Sequence, residues 1–205
     1  MRTLRNEKGI ALVTSLLLTL ISLAFVLALL YVVTQSTKAS GSQKRYRNAL
    51  EASHGGVEVV TKEIIPKLFT GYPASNLSTD FSTINLSVLS SSACIEQKMT
   101  LPNGKWSACS ANSTTLDPKV SYDLTFRLQN IAGQPGFRVY AKIVDTAPGN
   151  TDPSGIDYLD SGGGVASSSP GVSPKHLPGM YRLEVQGERD VNPEEKAKLS
   201  VLYAY

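Results

Sequence analysis

Gly9 to Val33 reads GIALVTSLLLTLISLAFVLALLYVV, and from Ile10 onward it holds 24 residues without a charge. Only Thr14, Ser15, Thr19, Ser22 and Tyr31 bring side-chain polarity to it. As a helix rising 1.5 Å per residue the run is roughly 36 Å long, more than the roughly 30 Å hydrocarbon core of a bilayer. It is therefore read as a membrane-spanning helix. A cleaved secretory signal is the alternative, but its apolar region is usually about 7 to 15 residues and closes on a small-x-small site. Here Ser36, Thr37, Lys38, Ala39 and Ser40 lead instead into a polar helical pattern.

Outward from this run the charges do not set orientation, because Arg2, Arg5 and Lys8 precede it and Lys38, Lys44, Arg45 and Arg47 follow it. Beyond it the helical period continues through Tyr46, Ala49, Leu50, Ala52, Val57, Val60, Ile64 and Leu68. The helix is expected to reach about Ile65, where Pro66 removes a backbone donor and crowds the preceding turn. From Ile10 to Ile65 it would measure roughly 84 Å. Gly41, Gly55 and Gly56 weaken it by up to about 1 kcal/mol each and are candidate flex points.

Gly71 to about Thr115 is rich in Ser, Thr and Asn and reads as a connecting region. Within it Cys94 and Cys109 flank Pro102, Asn103 and Gly104, a hairpin-like spacing that would return the two sulfurs to each other. A disulfide closing that loop contributes about 3 kcal/mol in the chain-entropy model and implies an oxidising compartment. Two free buried thiols are the alternative; a metal site would need more ligands than the two cysteines supply.

Val120, Tyr122, Leu124, Phe126 and Leu128 alternate with polar residues, as do Phe137, Val139, Ala141 and Ile143. Period two marks half-buried strands, and the Gly133, Gln134, Pro135, Gly136 link makes them an antiparallel pair. Two further strands carry Tyr181, Leu183 and Val185, then Ala197, Leu199, Val201, Tyr203 and Tyr205, with polar Gly187 to Glu195 between them. The Gly/Ser/Pro-dense stretch from Ala147 to Gly179, including Gly162 to Gly164 and Ser167 to Pro170, is read as a long surface loop. The expected fold is α+β: a long N-terminal helix whose outer half covers the apolar face of a four-stranded antiparallel sheet. The divisions are 1–9, 10–33 (spanning helix), 34–69 (outer helix), 70–119 (connecting region with the cysteine hairpin) and 120–205 (sheet domain with loop 147–179).

The N-terminus resembles the class III signal of type IV pilins and pseudopilins: the basic leader MRTLRNEKG ends in Gly9 and is followed directly by IALVTSLLL. Arg5 to Val33, then Gln43 to Ala52 (QKRYRNALEA), and the ending from Met180 to Tyr205 are similar to PilX-type minor pilins. The resemblance implies cleavage by a prepilin peptidase between Gly9 and Ile10, N-methylation of Ile10, and residues 1–9 as a leader. It implies other minor and major pilins and inner-membrane lipid as partners, and a periplasmic C-terminal domain that moves to the pilus or cell surface. One departure is Thr14, which occupies the fifth mature position where the family generally carries glutamate. In the family that carboxylate pairs with a neighbouring subunit's amine, which offsets the cost of charge in lipid. A subunit at the fibre tip has nothing above it to pair with, so Thr14 points to a tip or assembly-priming role. The same substitution resembles the tip pseudopilin of type II secretion, which stays open.

A net charge of +3 with no basic stripe argues against nucleic acid as a partner. His54 and His176 stand alone, and no nucleophile elbow, phosphate loop or HExxH pattern occurs, so neither an enzyme nor a cofactor is expected. Asn150, Asp152, Ser154 and Gly155, with Asp157 and Asp160, imitate part of a calcium loop, but Ser161 stands where its glutamate belongs, and a solvated acidic turn is the simpler reading. Glu51 reads as an exposed-face residue or as one half of an inter-subunit pair with Arg45 or Arg47. A signal-anchored periplasmic binding module, holding a ligand in the 147–179 loop, is the alternative from another class.

Overall fold

The computed structural model describes residues 7–129, 136–149 and 178–205. The expected 147–179 loop therefore falls almost wholly outside the described residues, together with the partial calcium motif, His176 and most of the Gly133 to Gly136 link. The chain divides into two units after Arg45.

Helix α1 runs from Glu7 to Val59. In the first unit every residue from Gly9 to Ser40 is exposed, and this is a helix long and apolar enough to cross a membrane. In the second unit one side of the helix is buried. Ala49, Ala52, Ser53, Gly56 and Val60 are covered, while Glu51, His54 and Glu58 face outward.

The helix does not stop at Ile65. A π-turn over Val60–Ile64 leads into α2, Ile65–Phe69, so the helical run passes through Pro66. The π-turn makes this possible, because Ile65 N–H donates to Val60 O and Pro66 starts a new turn, where its missing donor costs nothing. Beyond it, the Phe69 ring stacks on Tyr205 at 4.2 Å and meets Tyr181 edge-on at 5.5 Å.

Among the described residues the sheet is antiparallel with five strands rather than four, in order β1 (Ser87–Val88), β2 (Leu124–Leu128), β3 (Phe137–Ala147), β4 (Met180–Arg189) and β5 (Lys196–Ala204). Phe126 opposite Val139, Ala141 opposite Val185 and Leu183 opposite Val201 put the apolar side chains on one face. There they join Val60, Ile64 and Ile65 in a single core. The register between β3 and β4 slips at Ile143/Asp145, as at a β-bulge.

Three sequence expectations need correction. The segment 70–119 is not merely connecting: α3 (Ala74–Asp80), β1 and α4 (Ser92–Thr100) put Ala74, Leu77, Leu86, Ile95, Met99 and Trp106 into the core. Its Ser/Thr content reflects exposed faces and the Ser91 N-cap, whose Oγ accepts from Cys94 N–H at 3.2 Å. The strand expected from Val120 begins only at Leu124, because Ser121 takes a left-handed φ of 56° that interrupts extended backbone. Finally, β4 extends to Arg189, and Gly187 is a strand residue rather than the start of a linker.

Gly187 and Gly56 mark close approaches of helix and sheet. A Cβ on Gly187 would lie 2.6 Å from Ser53 Oγ and 2.8 Å from Ala49 O, and one on Gly56 would lie 2.6 Å from Val139 Cγ1. Ser53 Oγ accepts from Gly187 N–H at 2.8 Å and bonds Ala49 O (2.9 Å) and Ala197 O (3.1 Å). Gly56, expected as a flex point, is thus a packing contact.

Candidate functional site: the apolar stem and the disulfide-closed segment

The stem comes first, since its residues carry the functional expectation. Gly9 and Ile10 lie in the first turn of α1, both exposed. Thr14 Oγ1 reaches back to Ile10 O (3.1 Å) and Ala11 O (3.0 Å), Ser15 Oγ donates to Leu12 O at 3.1 Å, and Thr19 Oγ1 to Leu16 O at 2.8 Å. Such back-bonding satisfies each hydroxyl inside its own helix, which a lipid environment without water demands. Thr14 therefore carries no charge and needs no external partner. No carboxylate, ammonium or guanidinium occurs between Lys8 and Lys38. At the far end Gln35 Nε2 donates to Tyr31 Oη at 3.0 Å, a polar pair where the apolar run ceases.

Cys94 and Cys109 form a disulfide with Cα atoms 4.8 Å apart. The expected hairpin is absent: Cys94 is in α4, and Cys109 returns to it through a 3-10 turn at Asn103–Lys105. Pro102, Asn103 and Gly104 do form the reversal, but the flank before it is helical because Cys94, Ile95, Lys98 and Met99 form a three- and four-residue buried stripe. Gln97 and Trp106 tie the return down. Ala108 N–H donates to Gln97 Oε1 at 2.8 Å and Trp106 Nε1 to Leu101 O at 2.8 Å.

Beside the disulfide lies a buried ion pair that was not singled out in the sequence. Lys98 Nζ bonds Asp123 Oδ1 at 2.7 Å and Oδ2 at 2.8 Å, and also Ile143 O at 2.9 Å. Asp123 takes two more donors, Ser90 Oγ at 2.6 Å and Ile143 N at 2.8 Å. The Lys98 side chain is 0% exposed and that of Asp123 5%. Burial pulls the Lys98 ammonium below the ordinary lysine value, and the Asp123 carboxylate opposes that pull. Trp106 stands over Nζ at 5.2 Å. The pair clamps α4 and the lead-in to β2 onto the β3 bulge. A lysine on the apolar stripe of a short helix was the signal that could have revealed it.

From Ser110 to Tyr122 the chain crosses the second sheet face, which is polar yet buried. Lys142 Nζ donates to Asn112 O (2.6 Å), Thr115 Oγ1 (2.8 Å) and Val120 O (2.8 Å). Lys119 Nζ reaches Glu188 at 2.7 Å, Lys198 Nζ reaches Asp117 at 3.2 Å, and Tyr122 packs on Tyr140 with centroids 5.3 Å apart. The disulfide fixes one end of this strap and Asp123 the other. Glu51 is exposed, in line with its reading as an exposed-face residue, and lies 3.5 Å from Arg47 of its own helix. His54 is exposed on α1. Among the described residues no group of three or more His, Cys, Asp or Glu is placed to hold a metal. Compared with known proteins, the chain matches no family model, no curated protein and no solved structure.

Proposed function

We propose that this chain is a minor type IV pilin that takes part in pilus assembly, placed at the fibre tip as part of a priming complex. One observation carries the reading: α1 is a continuous helix whose first part is uncharged and wholly exposed, while its later residues are packed against an antiparallel sheet. A membrane anchor needs only the first property, whereas a fibre subunit needs both, because the same helix must pass from lipid into a bundle of like helices. The self-satisfied hydroxyls of Thr14, Ser15 and Thr19 suit close helix-to-helix contact. The disulfide supports an oxidising site for the folded domain.

Thr14 favours the tip over the shaft, since it offers no carboxylate to a subunit above. It equally suits the tip pseudopilin of a type II secretion system, the second reading. Mass spectrometry of the membrane form tests the proposal. A mature chain beginning with methylated Ile10 is expected; an intact Met1 would leave an anchored binding module that never enters a fibre. Loss of the protein from sheared surface fibres when pilus genes are deleted, with secretion unaffected, separates pilin from pseudopilin.

A further inference from the structure

We propose that the Cys94–Cys109 bridge latches the 110–122 strap over the polar sheet face, and that reducing it releases the strap while the apolar core stays folded. The inference stands apart from the pilin reading.

Both ends of the strap converge on one helix. Cys109 is bonded to Cys94 and Asp123 to Lys98, and these two α4 residues are about one helical turn apart. One pin is covalent and the other ionic. Between them the strap gives little to the apolar core: the chain leaves that core at Cys109 and rejoins it at Leu124. Pro118 is the strap's only buried apolar side chain, whereas Leu116 and Val120 are 57% and 43% exposed. The contacts that hold it down are polar, made by Lys142, Lys119 and Lys198. A segment with so few buried apolar contacts opens at a fraction of the global unfolding free energy.

The face beneath is suited to opening. Tyr140, Lys142, Gln186 and Glu188 are all buried there, and each carries polar atoms that water serves as readily as the strap does. Gln186 stands in register between Tyr140 and Lys198, the residues that Tyr122 and Asp117 of the strap meet. Its Oε1 is buried with no hydrogen-bond partner among the described residues. An acceptor left unbonded favours release, because opening returns it to water.

Thiol–disulfide exchange opens the latch. Cys94 is 3% exposed and Cys109 is partly exposed, so the thiolate of a dithiol reductant attacks Cys109 Sγ and the Cys94–Cys109 bond breaks. Cys94 departs as a thiolate in the first turn of α4, where the positive end of a helix favours it. The reductant's second thiol then attacks the mixed disulfide and frees Cys109. Two electrons and two protons pass to the chain, and the reductant leaves as its own disulfide.

Two buried lysines tell release of the strap from loosening of the core, since Lys142 lies beneath the strap and Lys98 beneath α4. The full chain in detergent is acylated with a water-soluble lysine reagent, either oxidised or after reduction by a phosphine, and each site is quantified by peptide mass spectrometry. In the chain-entropy model a closed loop of this length holds its ends together on the order of 100-fold better; because Trp106 and the Ala108 N–H bond remain after reduction, about tenfold of that is expected at the strap. Lys142 labelling should therefore rise about tenfold while Lys98 labelling stays within about twofold. The Cys94→Ala/Cys109→Ala variant should label as the reduced chain does, and reoxidation of the wild type should restore the slow rate. A Lys142 rate that reduction leaves within about twofold overturns the proposal, and so does a matching rise at Lys98, which would show the core opening rather than the strap.

Discussion

Lys98 and Asp123 allow the sharpest test of how the sheet domain is held together. With side chains 0% and 5% exposed, neither charge can recover solvent if the other is removed. Breaking such a pair from one side typically costs 3–5 kcal/mol, because an uncompensated charge stays behind. The surroundings place the two single variants at different ends of that range. Lys98→Met leaves the carboxylate with Ser90 Oγ and Ile143 N as donors, so about 3 kcal/mol is expected. Asp123→Asn leaves a buried ammonium with Ile143 O, one amide oxygen and the Trp106 face, so about 4 kcal/mol is expected.

Combining them removes both charges, and the double variant should cost about as much as Asp123→Asn alone. The coupling in the cycle is then about 3 kcal/mol, at the upper end of what contacting residues show. Trp106, the single tryptophan, stands 5.2 Å from Lys98 Nζ and reports urea unfolding of the full chain in detergent directly. Midpoints should move while the urea dependence stays constant. Single variants costing under about 1 kcal/mol, or effects adding to within about 0.5 kcal/mol, would show that the pair is not the clamp described.

Two further outcomes follow from neighbouring contacts. Reducing the Cys94–Cys109 bridge should lower stability by about 3 kcal/mol, as expected for a closed loop of this length; a shift below about 1 kcal/mol on adding reductant, checked against the double alanine variant, would assign the fastening of the strap to Asp123 and Lys142 alone. Tyr181 is 2% exposed and its hydroxyl donates to Met99 O at 2.8 Å, and burial pushes its pKa up to about 12. A raised value means the folded state holds the proton more tightly, so its contribution is complete below about pH 10 and is lost as pH climbs toward the folded value. By pH 11 the wild type should have lost about 1.4 kcal/mol relative to Tyr181→Phe, which at neutral pH is the weaker by about 1 kcal/mol. A gap between the two proteins that stays constant from pH 8 to 11 contradicts this.

How much of this could be read beforehand depended on whether the signal was local. The apolar run, and the alternation in β3, β4 and β5 that follows from a one-sided core, are short-range patterns, so they were legible. The segment 70–119 was not, because short helices such as Ala74–Asp80 and Ser92–Thr100 bury only a few residues each and their Ser/Thr surfaces imitate a loop. Pro66 suggested a break or bend because the rule for proline assumes α-geometry, and the π-turn at Val60–Ile64 lets the helical run pass through it. The Lys98–Asp123 pair joins residues from separate elements, and nothing in either one's neighbourhood names the other. Gly56 and Gly187 illustrate the same point, since their value appears only when the helix and strand are laid together.

The helix α1 also explains why its two halves are written in different alphabets. Where it is exposed and apolar, from Ile10 to Val33, large side chains dominate, and Leu12, Leu18, Phe25 and Leu29 are each at least 65% exposed. Such bulk suits a lipid environment, and there Thr14, Ser15 and Thr19 bond their own backbone. Where the helix meets the sheet, the contact residues shrink to Ala49, Ala52, Ser53 and Gly56, because backbone atoms must come near enough for Ser53 to serve Ala49, Ala197 and Gly187 at once. A bulky residue at 53 or 56 would push the sheet away, and a charged one at 14 would have no partner along this chain. The change from large to small side chains therefore accompanies a change of surroundings along α1, from a wholly exposed apolar surface to the protein's own sheet.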